Sequence, residues 1–352
     1  MEDRIILSRA QVFEKEQELK RLRIEEEFTK RDARQKVTDR ISKFSLKEIE
    51  LRKGDSNAIK LIGILERDAQ LIRQAVTFIN PALTAASPLC PGAVYLIGAA
   101  SGTGKSTTTA AIAHGLYLQG KNTFVISNEE TEAKILARIA CVELGIDFNL
   151  YVQDKLPMNI RKQIAHEIQK IEPFVSVADD PIASTTVESI STLIQEVDDS
   201  GKYSCIVIDF LQRISKSIVA PAAERTQVLY TFKDVVTDYA QHAKTPIVVM
   251  TQLIPLSSDE TERNVETRIK FCKGFYEAAA SVIEVIKIKG IPASTFYVAK
   301  GRFSKAEVGL TCKFENGKFI YINKHQLKDL KDEINMQNLR SLTSTVDDTG
   351  TP

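Results

Sequence analysis

The sequence has no tryptophan, and it is poor in histidine, cysteine and long apolar runs. Its 5 cysteines are scattered without a Cys-x-x-Cys pair, and its 4 histidines lack the spacing of metal ligands, so neither a disulfide framework nor a zinc site is expected. The first residues lack the apolar segment of a signal peptide, and the longest uncharged stretch, residues 74–104, is interrupted by prolines. We therefore expect a soluble cytoplasmic protein without a membrane span.

The sequence also lacks an excess of positive or of negative charge. The chain of 352 residues carries 47 Lys and Arg residues against 46 Asp and Glu residues. This balance excludes a polycationic nucleic-acid binder, so any contact with DNA or RNA must come from local basic patches. The length allows one large domain or two ordinary ones with a sizeable hydrophobic core.

Residues 1–54 differ in composition from the rest of the chain. The segment 14–44 contains no Gly or Pro and carries opposite charges four residues apart, as in Glu16 with Lys20, which predicts a charged helical N-terminal arm. Two interpretations stay open for this arm: a solvated helix, or a helix that docks on a partner.

A second helical pattern and a long α/β region follow. Residues 55–81 contain "AIKLIGILERDAQLIRQAVTFI" (58–79), which predicts a linker or interface helix ending before Pro81. In residues 82–325, short β-rich runs alternate with helical patterns, which predicts an α/β domain with a mostly parallel central sheet flanked by helices. The predicted strands are residues 94–97, 123–127, 175–178, 205–209, 246–251, 282–286 and 295–299.

The last part of the sequence predicts a different local structure. An Asn316-Gly317 pair between two β-rich runs predicts a terminal hairpin over residues 309–322. The tail, residues 326–352, contains one helical pattern and ends in "SLTSTVDDTGTP", for which we expect partial disorder.

The stretch "AASGTGKS" has the spacing of a phosphate-binding P-loop, with Ala99 where glycine is commoner. An apolar strand leads into it, small residues let backbone N–H groups approach phosphate oxygens, and a helix that begins at Lys105 points its N-terminus at the anion. Lys105 is expected to neutralise the β- and γ-phosphates of ATP, and the Ser106 hydroxyl to bind Mg²⁺. The residues expected to bind the nucleotide are Ala100, Ser101, Gly102, Thr103, Gly104, Lys105, Ser106 and Thr107.

Three further strand ends carry candidate catalytic side chains. Asp209 ends the apolar strand of "SCIVIDFLQRI", which would bring it beside the P-loop as the metal carboxylate, although a capping role is the alternative. Glu129 and Glu130 follow another strand; Glu129 is the candidate catalytic carboxylate, and a helix-dipole role for both is the competitor. Gln252 ends a third strand, where its amide can contact the γ-phosphate.

The order of the segments "SNEE", "VADD", "VIDFLQ", "TQL" and "AKGRF" after the P-loop resembles the RecA-fold motor domain of hexameric replicative DNA helicases of the DnaB type, over roughly residues 82–323. The most specific part is "IVIDFLQ", followed by Arg225-Thr226 downstream of Pro221. The resemblance implies a RecA-like P-loop NTPase, an ATP- and Mg²⁺-dependent hydrolase that unwinds DNA in replication, and a homo-oligomeric ring, expected to be a hexamer, on single-stranded DNA.

The resemblance also implies residue roles. Lys105 and Ser106 take the Walker A roles, Asp209 the Walker B role, Glu129 the activating role, and Gln252 becomes the γ-phosphate sensor. Lys300 and Arg302 match a Lys-x-Arg pair that reaches the nucleotide of the adjacent subunit, and two residues apart on a strand they would point to the same side.

The sequence departs from the family pattern in two places. Only about 80 residues precede the motor domain, too few for the family's helical N-terminal domain or a primase, and Ser281 replaces an acidic residue. Any contacts with other replication proteins would then be made by the N-terminal arm.

DNA contacts are expected from two long loops that follow the strands ending at Asp209 and Gln252. Neither loop offers an aromatic platform for base stacking, so phosphate tracking is expected, and ordinary solvated loops are the alternative. The second loop mixes charges but ends in basic residues, Arg268 among them. The candidate DNA-binding residues are Arg213, Lys216, Arg225, Lys270 and Lys273.

Two other functions remain open at this point. A RecA-like DNA-binding ATPase of recombination or repair shares the fold, but "DFLQ" and the Lys-x-Arg pair argue against it. A non-motor ATPase that regulates or loads a replication complex through the N-terminal arm is compatible with the short architecture.

Overall fold

The computed structural model describes residues 70–180, 186–214, 225–242, 244–255, 264–269, 273–303, 306–315 and 317–346. The predicted helical arm over residues 1–54 and the first part of the predicted linker helix lie outside these ranges. The compact unit that contains the fold begins at Asp68.

A nine-stranded sheet forms the centre of this unit, in the order β3-β2-β4-β5-β1-β6-β7-β8-β9. Its strands are β1 Val94–Ala99, β2 Thr123–Ser127, β3 Val175–Ala178, β4 Cys205–Asp209, β5 Ile247–Gln252, β6 Ser281–Lys287, β7 Ala293–Gly301, β8 Val308–Glu315 and β9 Lys318–Tyr321. Strands β1 to β6 run parallel, and β7, β8 and β9 continue the sheet antiparallel. The prediction of a mostly parallel sheet with a terminal hairpin is confirmed.

The central strands are buried on both faces, as expected for a parallel sheet covered by helices. Side chains alternate between two core layers: in β4, for example, Val207 faces one layer and Ile208 the other. The helices in chain order are α1 Pro81–Ala86, α2 Lys105–Tyr117, α3 Glu132–Leu144, α4 Phe148–Val152, α5 Met158–Ile171, α6 Val187–Asp199, α7 Arg225–His242, α8 Val265–Arg268, α9 Gly274–Ala278 and α10 Lys324–Val346.

The helices divide between the two faces of the sheet. Helices α1, α2, α3 and α5 contribute to one core layer, with Ile112 and Ile135 wholly or almost wholly buried there. Helices α6 to α9 contribute to the other, with Ile190 and Phe275 buried there. This three-layer arrangement brings the carboxyl ends of β1, β2, β4 and β5 to a common edge, which is where ligands bind in open α/β sheets. No helix within the described ranges is long and apolar enough to cross a membrane.

The linker prediction is wrong at its C-terminal end. Helical residues stop at residue 73, not at residue 79, and Val76 instead forms a backbone bridge with Leu89. The reason is tertiary packing: Phe78 is fully buried in the core, and the Asn80 side chain accepts a hydrogen bond from Leu83 N at the start of α1, which a continuous helix would prevent.

The C-terminal tail is more regular than predicted. Helix α10 continues to Val346 and so extends into the segment "SLTSTVDDTGTP", for which we expected disorder. Its first turns are held against the sheet because Leu330 packs in a small cluster with Ala293 and Ile322.

Candidate functional site

The P-loop connects β1 to α2 in the predicted strand–loop–helix order. Gly102 and Gly104 have φ values of 72° and 103°, in the left-handed region that favours glycine, whereas Ala99 is simply the buried last residue of β1. The loop is closed on itself, since Thr103 donates from its N–H and its hydroxyl to the carbonyl of Ala100. A strand, a loop with two glycines in the left-handed region, and the N-terminus of α2 thus follow one another in the arrangement typical of an anion site.

Asp209 lies at the carboxyl end of β4, only 3 % exposed. Its Oδ2 accepts a hydrogen bond from the Thr109 hydroxyl at 2.9 Å, while Oδ1 is buried without a hydrogen-bond partner in the described part of the chain. Burial raises the pKa of the carboxyl to about 6; the charge of Glu129 acts in the same direction, and the Thr109 hydrogen bond and the charge of Lys105 oppose it. The structure therefore brings Lys105 and Glu129 within electrostatic reach of Asp209.

These residues fit a magnesium ion. The unpartnered Oδ1 of Asp209 is a hard oxygen ligand, and Ser106 lies one turn before Thr109 on α2. Among the described residues, no group of three or more His, Cys, Asp and Glu could hold a metal by itself. A cation here would thus share its coordination with phosphate oxygens and water, as Mg²⁺ commonly does.

The two adjacent carboxylates after β2 differ in their surroundings. Glu130 forms an ion pair with Arg138 of α3 at 2.6 Å, and its backbone is bound to the Ser127 hydroxyl. Glu129 is exposed and has no ion pair or hydrogen bond with a described residue. Of the pair, Glu129 is the carboxylate free to contact a water molecule, as its predicted role requires.

Asn128 was missed by the sequence analysis. Its N–H donates to the carbonyl of Asp209, its Oδ1 accepts from Phe210 N at 2.9 Å, and its Nδ2 donates to the carbonyl of Phe210. The Phe210 ring in turn lies 4.3 Å from the Lys105 Nζ. Asn128 therefore joins the ends of β2 and β4 and so fixes the distance between the Glu129 loop and the Asp209 turn. The sequence offered only a weak signal, an amide between a strand and two acidic residues.

Gln252 ends β5 in register with Ala99, beside the P-loop. Its backbone is held by Gln212, which was also missed although it belongs to the "DFLQ" segment. Gln212 is 5 % exposed; its Oε1 accepts from Gln252 N at 2.9 Å, and its Nε2 donates to the Thr251 hydroxyl at 2.7 Å and to the carbonyl of Gln252. The turn after Asp209 and the end of β5 are thereby connected.

Lys300 and Arg302 lie near the amino ends of the parallel strands. The P-loop of the same chain lies at the opposite, carboxyl ends. Lys300 and Gly301 pair with the start of β6, and the start of β6 pairs with Tyr95 of β1. The distance from Tyr95 to Ala99 along β1 is about 13 Å, and the P-loop extends further. Neither cation can therefore reach the phosphate site of its own subunit.

The two cations are not equivalent. Lys300 Nζ donates to the carbonyls of Tyr276 and Glu277 at the end of α9, at 2.8 and 2.7 Å. Burial, and then the charge of Arg302, lower the pKa of Lys300. Arg302 is exposed. Arg302 is thus the side chain that projects outward, and Lys300 attaches the end of β7 to α9.

The candidate DNA-binding residues are only partly within the described ranges. Arg213 is exposed, but it donates to the carbonyl of Asn128 at 3.2 Å and so lies beside the segment that carries Glu129. Lys273 is exposed next to α9. Lys216, Lys270 and the side chain of Arg225 lie outside the described part of the chain.

One expectation for the second loop is wrong. Arg268 was counted among its basic residues, yet it is 6 % exposed, and its guanidinium is bound to Glu284 at 2.7 Å. A side chain that is buried and paired inside the fold cannot bind a DNA phosphate.

Two cavities adjoin the P-loop. One of 380 Å³ is lined by Gly102, Gly104 and Thr107, and one of 360 Å³ is lined by Thr107 and Arg138; Asn149 and Phe314 line both. Their volumes suit a small organic ligand, and their contact with the phosphate loop suits the base and ribose of a nucleotide.

The chain is similar in sequence to one known protein family. The sequence matches the family described as DnaB-like helicase C terminal domain over residues 84–268. No curated protein sequence matches the chain significantly.

Solved structures share its fold. One structure, described as an ATPase domain, aligns with a TM-score of 0.63 at 13% identity, over 76% of this chain and 100% of that chain. A DnaB-like replicative helicase, described with its interactions with primase, aligns with a TM-score of 0.62 at 14% identity, over 85% of this chain and 78% of that chain. The KaiC-like protein PH0186 from the archaeon Pyrococcus horikoshii OT3 aligns with a TM-score of 0.50 at 15% identity, over 71% of this chain and 99% of that chain.

These structural neighbours confirm the RecA-like α/β fold. The family match covers more than half of the chain and includes β1, the P-loop, Glu129, Asp209 and Gln252. The chain belongs to the DnaB-like helicase C-terminal domain family.

Proposed function

We propose that this protein is an ATP-dependent, ring-forming DNA helicase that translocates on single-stranded DNA and unwinds duplex DNA during replication. The observation that carries the proposal is the separation of Arg302 from the P-loop of its own chain, across the sheet. A guanidinium at the far edge completes a phosphate site only if that site belongs to a neighbouring subunit, and a closed ring supplies such a neighbour to every subunit.

The proposed reaction divides among residues of two subunits. Lys105 and the loop amides bind the β- and γ-phosphates; Ser106 and Asp209 would hold Mg²⁺, which would neutralise phosphate charge. Glu129 accepts a proton from water as the water oxygen bonds to the γ-phosphorus and the bond to the leaving ADP oxygen breaks. Arg302 of the neighbour stabilises charge on the transferring phosphoryl group, and Gln252 responds to its loss.

This arrangement and the structural neighbours support a proposal for the partners. We propose single-stranded DNA in the ring channel, contacted by Arg213, Lys216, Arg225, Lys270 and Lys273, and identical subunits in a hexamer. One DnaB-like structural neighbour was solved with its interactions with primase. For this chain we propose contacts with other replication proteins through residues 1–54.

A forked-duplex unwinding assay with Lys105→Ala tests the proposal. Loss of the ammonium leaves phosphate charge unneutralised, so ATPase and unwinding are expected to fall by about 10²-fold or more. The exposed Lys162→Ala on α5 is the matched control and should unwind as the wild type does. Native mass and ATPase with and without single-stranded DNA complete the test.

The outcomes separate the candidate functions. A monomer whose ATPase ignores DNA would exclude the helicase. Open filaments on DNA would indicate a recombination ATPase, and ATP-dependent binding of a replication protein without unwinding would indicate a regulator or loader.

A further inference from the structure

Lys300, the first cation of the Lys-x-Arg pair, already has partners for its ammonium within its own chain. Its Nζ donates to the carbonyls of Tyr276 and Glu277, at 2.8 and 2.7 Å. These carbonyls belong to the last turn of α9, where a helix leaves its carbonyls without partners inside the helix. To reach a phosphate group of another subunit, the ammonium would have to give up two hydrogen bonds of the strong kind that a charged donor makes.

Two further hydrogen bonds join the end of β7 to α9 and to the residues that follow it. The Tyr276 hydroxyl donates to the carbonyl of Ala299 at 3.4 Å, and the N–H of Arg302 donates to the carbonyl of Ala280 at 2.7 Å. The contacts thus lie before, at and after Lys300 along the chain. The backbone from which the Arg302 side chain departs belongs to this joined region, so its direction depends on how the region is held.

Ser281, which stands where the family pattern has an acidic residue, contributes to the same arrangement. Its hydroxyl donates to the carbonyl of Lys300 at 2.9 Å and accepts from the Ser87 hydroxyl at 2.8 Å. An ionised acidic side chain has no proton to donate, so it could not bind the Lys300 carbonyl in this way. The serine therefore holds the backbone of Lys300 while the carbonyls of α9 hold its ammonium.

The two cations of the pair also act on each other. Burial, and then the charge of Arg302, lower the pKa of Lys300, so the two charges are close enough to repel. Lys300 is held by carbonyls, whereas Arg302 is exposed. Repulsion from a fixed charge favours those conformations of the Arg302 guanidinium that point away from Lys300 and out of the subunit.

We propose that Lys300 is a positioning residue that directs the Arg302 guanidinium toward the neighbouring subunit and binds no phosphate itself. The inference rests on the proposed function, because it takes Arg302 as the group that reaches the neighbour's nucleotide. The two cations then have different tasks. Lys300 attaches the end of β7 within its own subunit, and Arg302 carries the charge that crosses the interface.

The experiment compares two neutral variants of Lys300 in the assembled protein. Lys300→Met keeps an unbranched stem but cannot donate a hydrogen bond, whereas Lys300→Gln is also neutral but retains an amide donor for the carbonyls of α9. Arg302→Ala removes the proposed trans guanidinium. Lys162→Met, on the exposed face of α5, is the control that removes a positive charge elsewhere. Melting curves and native mass check that each variant folds and assembles.

Two measurements are made on every variant. Amide hydrogen exchange at Arg302 should become faster in Lys300→Met, because the attachment of β7 to α9 is loosened, and Lys300→Gln should lie closer to the wild type. The kcat for ATP hydrolysis should follow the exchange rate. We expect a fall of about tenfold in Lys300→Met with little change in KM, a rate about threefold higher in Lys300→Gln, and wild-type behaviour in Lys162→Met.

A phosphate-binding ammonium would give a different pattern. If Lys300→Gln restores slow exchange at Arg302 but is no faster in ATP hydrolysis than Lys300→Met, the positioning role is overturned and the charge itself is needed. Unchanged exchange in Lys300→Met, or faster exchange with wild-type kcat, overturns it as well. If Arg302→Ala keeps the wild-type kcat, the proposed function fails at the interface, and the exchange at Arg302 still shows whether Lys300 holds the end of β7.

Discussion

Asp209 illustrates how a residue proposed to bind a cation can carry a cost to the fold. The end of β4 is surrounded by apolar side chains, so ionising the carboxyl there is unfavourable, and its pKa is raised to about 6. Only one of its oxygens has a hydrogen-bond partner in the described part of the chain. A cation bound as proposed would satisfy the second oxygen, so the proposed role favours binding over stability of the site without a cation.

This arrangement predicts how stability depends on pH. The folded-state pKa lies above the unfolded value of 3.8, so the folded state binds the proton more tightly and loses stability as pH rises through about 6. The difference between these two pKa values corresponds to about 3 kcal/mol at neutral pH. Asp209→Asn should therefore melt at a higher temperature than the wild type in Mg²⁺-free buffer at pH 7.5, and the difference should shrink toward pH 4.

The measurement is a set of melting curves with and without Mg²⁺ and nucleotide. The buried amide of Asn lacks an acceptor, which offsets part of the gain. Mg²⁺ with nucleotide should stabilise the wild type and not Asp209→Asn. A variant that is less stable than the wild type at pH 7.5 would show that the ionised carboxylate has a partner that stabilises it.

Glu129 and Glu130 form a natural pair of matched variants. Glu129→Gln removes the proposed base without changing shape, and kcat for ATP hydrolysis should fall by about 10²-fold or more with little change in nucleotide affinity. Glu130→Gln removes the ion pair with Arg138, so it should lower the melting temperature and leave most of kcat. Steady-state ATPase of both variants checks this, and equal losses of kcat would remove the distinction between the two carboxylates.

At the scale of elements, the site depends on how strand ends are joined. Gln212→Met keeps the side-chain length but removes the three hydrogen bonds that hold the end of β5. We expect kcat to fall by about tenfold while KM for ATP changes little, because Gln252 would lose its position relative to the γ-phosphate.

The control for this prediction is Gln252→Ala, which removes the proposed sensor itself. The double variant Gln212→Met/Gln252→Ala should be no slower than Gln252→Ala, because the two residues act through one contact. Additive losses would mean that Gln212 acts elsewhere.

The elements themselves were largely readable from the sequence. Short apolar runs with turn signals at both ends placed β2, β3 and β4 at the residues where they occur, because buried parallel strands have a strong local pattern. The P-loop and the order of its partners along the chain were equally legible. In contrast, the end of the linker helix depends on the burial of Phe78, which no local pattern reveals.

The contacts between strand ends were not readable for a similar reason. Asn128 and Gln212 acquire their roles from residues 82 and 40 positions away in the chain. Arg268 looked like part of a basic loop because its partner Glu284 is on another element. Sequence patterns report which residues end a strand, but not which strand end lies next to which.

At the scale of the whole molecule, the P-loop lies at the carboxyl ends of the parallel strands and Arg302 lies near their amino ends. In the proposed function, the two halves of one catalytic site therefore lie on different surfaces of a subunit. A head-to-tail assembly would bring them together, and a rotation that closes would give a ring with one site at each interface. The single chain is thereby expected to hydrolyse ATP poorly.

Mixed assemblies test this directly. Arg302→Ala and Lys105→Ala should each be inactive alone, the first for want of a guanidinium and the second for want of the phosphate-binding ammonium. When the two chains are co-expressed in equal amounts and assemble at random, about a quarter of the interfaces combine an intact P-loop with an intact Arg302, so about a quarter of the wild-type ATPase rate should return.

A second mixture provides the control. Lys105→Ala and Glu129→Gln damage the same half of the site, so the half that carries the P-loop lacks either Lys105 or Glu129 in every chain of their mixture, and no activity should return. Recovery in the first mixture but not in the second places Arg302 in the neighbour's site. If the first mixture stays inactive although mixed oligomers form, Arg302 does not act across the interface, and the argument from its position on the far edge of the sheet fails.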